Sequence, residues 1–255
     1  MRALLTALAA AAVATLGACA TSPTGRSQLI LVSKDEVSQM GIASYREMQS
    51  KVPATRNVRT SSYVNCVAQR VTAEAGEGAW EVTTFESKEL NAFALPGGKI
   101  GVYTGLLTAA TNQDQLATVI GHEVAHVLSN HSAERLSDQM AAGLGSQIAG
   151  AVTGYDPQLF ALAGNVFFLL PYSRTHESEA DILGLELMAR AGFDPRQAIP
   201  LWQNMARESA GKPAEFLSTH PSDETRIRQL SDHLSVAIPL YEQARASGRK
   251  PNCSL

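Results

Sequence analysis

Aromatic residues make up only 6% of this chain, and Val and Ile rarely alternate with polar neighbours. With Ala, Gly and Leu abundant, that scarcity leans the fold towards helix and leaves room for only a small sheet. Basic charge is equally sparse: the formal net charge is -3, and the scattered Lys and Arg form no stripe of the kind a phosphate backbone requires. Nucleic acid is therefore excluded as a partner. No internal repeat or long disordered tract interrupts the chain. What is present is enough apolar material, 45% of 255 residues, to bury a sizeable core in one large domain.

Long apolar runs are also missing. The longest near the start, Ala3 to Leu16 behind a single Arg2, is too short and too Ala-rich to span a bilayer comfortably. Residues 1–18 read as a secretory signal. Its end, Leu16-Gly17-Ala18-Cys19, resembles the lipobox of bacterial lipoproteins, which implies cleavage before Cys19 and acylation of that residue. Such an anchor is firm, because each buried methylene contributes roughly 0.8 kcal/mol. An uncleaved anchor helix, or an ordinary signal with an incidental Cys19, are the competing readings. By the same resemblance, Ala20 in place of Asp favours the outer membrane of a two-membrane bacterium. Only three cysteines occur, so lipidation of Cys19 leaves Cys66 and Cys253 as a candidate disulfide. That bridge is worth up to about 4 to 5 kcal/mol in the chain-entropy model; two unpaired thiols are the alternative.

Residues 19–33 mix small polar residues with a short apolar patch, which suits a lipidated tether ahead of a domain over 34–255. Ser33 with Glu36 three residues later predicts a capping box, and Val37, Met40, Ile42, Tyr45 and Met48 form a helical stripe behind it. A second helix is expected from Thr60 to Ala75. Between Trp80 and Gly105 the runs WEVTTFE, NAFALPGG and KIGVYTG predict strands joined by turns. Helices resume at Asp114, with breaks around Pro157, Pro171, Pro195 and Pro213. The result is an α+β arrangement. The nearly uncharged stretch from Ala141 to Pro171 reads as a buried core helix, or as a membrane- or substrate-facing flap.

The chemistry lies in His122-Glu123-Val124-Ala125-His126, on a stretch whose Leu116, Val119, Ile120, Val124 and Val127 form an apolar helical face. Four residues span just over one turn, so both imidazoles emerge on one side, within reach of a single ion. Neutral imidazole suits zinc, and Glu123 can take a proton from water without being a ligand. A hydrolytic zinc keeps three protein ligands and an open position. The best third ligand is Glu177, which shares a helical face with Asp181; that aspartate would fix the tautomer of a ligand histidine. Glu179 points to another face. His131 and His176 read as surface residues or as supports of the ligands, His131 being off the ligand face.

HEVAH followed by ESEAD, with NAFALPGGKIGVYTGLL and STHPSDETRI, resembles the HtpX/LoiP/CAAX-prenyl-protease family of zinc peptidases over about Ser33 to Leu234. The absence of transmembrane helices makes the chain similar to its soluble periplasmic lipoprotein branch, the LoiP-like members. The resemblance implies a predominantly helical zincin-type (gluzincin) domain with a small β-sheet beside the HExxH helix. It implies one Zn2+ per chain on His122, His126 and Glu177, Glu123 as general base, and Asp181 against a ligand histidine. His220, with Ser222 as the cap of the helix after it, is either a packing residue or one that approaches the zinc, stabilising an oxyanion or closing the open position at rest. Arg174 orients the carboxylates or makes a structural salt bridge. Asn91, Ala92, Phe93 and Ala94 form an exposed edge to which an extended substrate adds as a strand, or else an interior strand. The implied activity is hydrolysis of unfolded or misfolded envelope proteins at the periplasmic face of the outer membrane. The alternative is a metal-binding holdase for outer-membrane proteins with little proteolysis.

Overall fold

The computed structural model describes residues 19–76, 78–144, 157–208, 215–221 and 224–255. The expected signal peptide, Pro213 and the expected cap Ser222 lie outside them. Side-chain caps open four of the described α-helices by accepting from N–H groups that a first turn leaves without partners. Ser33 opens α1 (Lys34–Lys51) through both arms of the capping box: its Oγ accepts from Glu36 N at 3.2 Å, and Glu36 Oε2 accepts from Ser33 N at 3.0 Å. Asn57 caps α2 (Val58–Thr72), which moves that helix two residues ahead of its expected start.

Residues 19–33, expected to be a tether, contain a hairpin of β1 (Cys19–Thr21) and β2 (Ser27–Leu29). The partners that fold it are about a hundred residues away in sequence: buried Gln28 donates to Ser129 O and to Glu134 Oε2, each at 2.7 Å. Local composition carries no sign of such bonds.

The three expected strands form, as β3 (Glu81–Phe85), β4 (Ala92–Leu95) and β5 (Lys99–Tyr103). They assemble in the order β3-β5-β4, with β3 parallel and β4 antiparallel to β5. Strand β4 is thus an edge. Side chains that alternate across the sheet divide two cores. Ala92, Ala94, Ile100 and Val102 belong to the larger core with α2, α4 and α7. Phe93, Leu95 and Tyr103 belong to the smaller one, with Phe85 and Tyr45. Much of the scarce aromatic content gathers there, with Tyr45, Phe85, Phe93, Tyr103 and Phe168 in stacked and edge-on contacts.

After a single turn, α3 (Leu106–Ala109), Asn112 caps α4 (Gln113–Leu128), and every residue of α4 from Gln115 to His126 is buried. Helix α5 (His131–Leu144) follows almost directly. Helix α6 (Pro157–Phe168) places Leu159, Ala163, Val166 and Phe167 in the smaller core, so this part of the apolar stretch is a core helix; residues 145–156 lie outside the described residues. Ser173 caps α7 (Arg174–Arg190), and α8 (Ala198–Glu208), the short α9 (Glu215–Thr219) and α10 (Glu224–Ala246) complete the domain. A disulfide joins Cys66 on α2 to Cys253 beyond α10. No described helix is long and apolar enough to cross a membrane.

The contact that positions everything else is the crossing of α4 and α7. Gly121 and Gly184 meet there backbone to backbone: a Cβ on Gly184 would stand 2.7 Å from His122 N, and one on Gly121 would stand 2.7 Å from Gly184 O. We therefore expect Gly184→Ala to cost about 1–3 kcal/mol, since overpacking forces the helices apart. By contrast, Gly164→Ala meets nothing within 4 Å on α6 and should gain up to about 1 kcal/mol of helix stability. Thermal unfolding reads both, and a Gly184→Ala protein as stable as wild type would refute the close-approach constraint.

Candidate metal centre

Because α4 and α7 touch, the motif histidines on one face the carboxylates of the other. His122 Nε2 and His126 Nε2 lie 3.1 Å apart. Glu177 Oε2 is 3.5 Å from His122 Nε2, and Glu177 Oε1 is 3.4 Å from His126 Nε2. His220, in the turn after α9, brings Nδ1 to 3.0 Å from Glu177 Oε1 and 3.2 Å from His122 Nε2. One donor atom from each of these four buried residues falls within 4.8 Å of all the others. Tetrahedral zinc with bonds of about 2.0–2.1 Å separates its ligand atoms by about 3.3 Å. The donor types and separations here fit that ion.

Each motif histidine is held from behind. His122 Nδ1 lies 3.1 Å from Asp181 Oδ1, and Arg226 donates to the same carboxylate from Nε at 2.7 Å and Nη2 at 2.8 Å. Arg226 Nη1 also stands 2.5 Å from Glu177 Oε2, and its guanidinium lies over the Trp202 ring. Burial would raise the Asp181 carboxyl, but the charge and hydrogen bonds of Arg226 together with His122 outweigh it and hold the group below its ordinary range. Glu177 is likewise held well below its ordinary value, the effect of burial being overcome by His220, His122 and His126.

On the other side, His126 Nδ1 is 2.8 Å from His131 Nδ1, whose Nε2 is 3.0 Å from Glu179 Oε2. Burial, with His176 adding to it, pushes the His131 pKa down to about 4, so its ring is neutral near neutral pH. Burial works against the Glu179 charge, yet hydrogen bonds from Ser22, Thr24 and His131 bring its pKa to about 2. His176 lies 3.1 Å from Glu134, which also pairs with Arg26. Both histidines are buried, which overturns the surface reading; His131 touches the ring of His126, and His176 stacks on His131.

Glu123 Oε2 accepts from Ala94 N at 3.1 Å. Its other oxygen accepts no hydrogen bond among the described residues and stands 3.4 Å from His220 Nε2. Burial raises the Glu123 carboxyl above its usual range, against the charges of His220 and His122. A buried carboxylate with one oxygen tethered and the other without a hydrogen bond is able to exchange a proton.

The structure thus gathers His122, Glu123, His126, Glu177, Asp181 and His220 into one cluster, with Ala94 at its rim. Arg174 is not among them: it sits exposed on the first turn of α7, and the guanidinium that reaches Glu177 and Asp181 is that of Arg226. Sequence reasoning passed over Arg226, which only the packing of α10 against α7 brings to the site. It also passed over buried Tyr172, whose ring lies 3.9 Å from that of His126.

Removing the Arg226 charge tests this electrostatic frame. Asp181 has a folded pKa below its unfolded one, so it contributes stability above about pH 4 that is lost as pH falls through the lower folded value. In Arg226→Met, burial acts without its counter-charge, and acid unfolding of the metal-free protein should begin at higher pH. The cost at neutral pH is expected to be about 3–5 kcal/mol, that of breaking a buried pair. Urea titrations from pH 3 to 8 check both, and superimposable profiles would refute it.

Comparison with known proteins agrees with the geometry. The model of Peptidase family M48 matches residues 55–234. Mitochondrial metalloendopeptidase OMA1 of Schizosaccharomyces pombe is 38% identical over 215 residues, covering 81% of this chain and 63% of that protein. The OMA1 of Bos taurus is 32% identical over 242 residues, 86% of this chain and 46% of its own. The β-barrel assembly-enhancing protease of Escherichia coli is 28% identical over 221 residues, 81% of this chain and 45% of that protein. The chain therefore spans less than two thirds of the length of these curated relatives. With the buried donor cluster inside the matched region, the chain belongs to peptidase family M48, the HExxH zinc metallopeptidases.

Proposed function

We propose that this protein is a zinc metalloendopeptidase that hydrolyses peptide bonds of unfolded or misfolded envelope proteins, a LoiP-like member of its family. The observation that carries the reading is Glu123, whose open oxygen faces the donor cluster. A module that only binds unfolded chains has no use for a proton acceptor there. His122, His126 and Glu177 would hold the zinc. When bound, the ion supplies Lewis acidity that brings the pKa of water towards neutrality. Glu123 takes the proton of the attacking water on its open oxygen and passes it to the departing amine. Ala94 N–H keeps the carboxylate oriented through its other oxygen.

The substrate main chain is proposed to add along β4, at Asn91 to Ala94. Ala94 N–H points away from β5 towards Glu123, so the side of the edge that β5 leaves unpaired faces the reacting groups, and it is buried at rest rather than exposed as the sequence suggested. The segment carrying His220 borders the same side, since Phe216 N donates to Leu90 O at 3.2 Å. It is pinned at its other end, where Tyr172 N donates to Thr219 O at 2.9 Å. His220 is therefore read as a latch that closes the fourth position at rest and withdraws with its segment when a substrate strand enters.

One assay addresses base and latch together. On unfolded casein, Glu123→Gln should lose activity by at least about 100-fold while binding zinc as wild type does; retained activity would reject the peptidase reading. His220→Ala should raise kcat/KM. A fall with zinc content unchanged would assign His220 to oxyanion stabilisation instead.

Anchoring through an acylated Cys19, on the periplasmic face of the outer membrane, is part of the proposal and is supported by the Leu-Gly-Ala-Cys sequence. Cys19→Ser should move the protein from the membrane to the soluble fraction and abolish palmitate labelling. Membrane retention of an unlabelled Cys19→Ser protein would argue for an uncleaved N-terminal helix.

A further inference from the structure

His126 rests on a chain of hydrogen bonds that leaves the metal cluster and ends on the N-terminal hairpin. Its Nδ1 lies 2.8 Å from His131 Nδ1; His131 Nε2 lies 3.0 Å from Glu179 Oε2. Glu179 then receives the Thr24 hydroxyl and Arg26 Nε, the latter at 3.2 Å. Arg26 is fixed in turn by Glu134, to which Nη1 and Nη2 each donate at 2.6 Å. His126, His131 and Glu179 are all buried, so water does not complete the chain in their place.

Counting protons gives the chain a direction. Glu179 already receives the Thr24 hydroxyl and the Arg26 guanidinium and so stands as an acceptor, towards which His131 donates from Nε2. For His126 to offer the lone pair of Nε2 to a metal its proton must sit on Nδ1, so in the 2.8 Å contact His126 Nδ1 donates and His131 Nδ1 accepts. That leaves the lone pair on His126 Nε2, the atom facing His122 and Glu177. The opposite tautomer would set a lone pair of His131 against a carboxylate and put a hydrogen on His126 Nε2, where a metal has to bind.

We infer that His131, Glu179 and Arg26 are positioning residues of the metal centre, selecting the tautomer and ring orientation of His126 as Asp181 and Arg226 do for His122. The inference rests on the zinc reading of the preceding section. It makes the hairpin of residues 19–29 part of the site, although Arg26 precedes the motif by nearly a hundred residues.

The test is zinc affinity, measured on the full chain by competition with a chromogenic chelator. In parallel, 15N NMR of the His126 ring reports the proton on Nδ1, and melting temperatures in excess EDTA report folding without metal. Glu179→Ala should lower zinc affinity on the order of 10- to 100-fold, the usual effect of losing a partner that orients a ligand. Arg26→Met, one step further out, should lower it about threefold or more, with Arg26→Lys recovering part of the loss. Gln28→Ala removes the hairpin's bond to Ser129 and one of its bonds to Glu134 while leaving Arg26 on Glu134 and Glu179, and should stay within about twofold of wild type. Equal zinc binding by wild type and Glu179→Ala overturns the inference. So does a Gln28→Ala loss as large as that of Arg26→Met, which would reduce the hairpin to a docking element. If Glu179→Ala fails to fold, the Arg26→Met and Arg26→Lys pair decides. Wild type that binds no zinc sinks this inference and the zinc reading together.

Discussion

Helices α4 and α7 can bring an imidazole pair and a carboxylate pair to one point only because Gly121 and Gly184 let their backbones touch. A helix pair separated by ordinary side chains runs 8–10 Å apart, which would leave Glu177 and Asp181 short of the motif histidines. The crossing also explains the burial of α4, which is covered by α7 on one side and by the small sheet on another. Removing four ionisable side chains from water is costly, and the fold offsets that cost by giving each charge a partner of opposite sign or a hydrogen-bond donor. Arg226 is the centre of that compensation, reaching Glu177 and Asp181 together.

The part of the site legible in the sequence was the part written by helical periodicity. His122 and His126, like Glu177 and Asp181, are spaced by one turn, so each pair announces its shared face without any knowledge of tertiary structure. The capping box at Ser33 and the three strands between Trp80 and Gly105 were legible for the same reason, since their signals lie within a few residues. The zinc-peptidase resemblance extended this to the pairing of the two helices, and membership of peptidase family M48 agrees with it.

What the sequence did not reveal depends on contacts between distant segments. Arg226 looks like any residue in a charged helical turn, and only the return of α10 against α7 makes it a counter-ion. His131 was judged by its angle on a continuous helix, but Asn130 takes a positive φ of 54° between α4 and α5, so the angular argument does not apply. Arg174 was considered for the carboxylates, beside a structural salt bridge, because it adjoins Glu177 in sequence; at the start of α7 it is exposed, while residues three and seven positions on are buried. Residues 19–29 looked like a linker because their bonding partners lie on α5 and α7.

The disulfide carries a consequence for where the protein can work. Cys253 is not a loose end: its N–H donates to Gln113 Oε1 at 2.9 Å, and Gln113 Nε2 donates to Pro251 O at 3.3 Å. Gln113 is the first residue of α4, so the C-terminal tail holds the first turn of the helix that bears the HExxH motif. While Cys66 and Cys253 are joined, the tail is kept beside Gln113 at an effective concentration that no free peptide reaches. In a reducing medium that local concentration drops to what the unlinked chain supplies. The same polypeptide then has a looser grip on its motif helix inside a reducing compartment than outside it, so its redox surroundings set how firmly that helix is held.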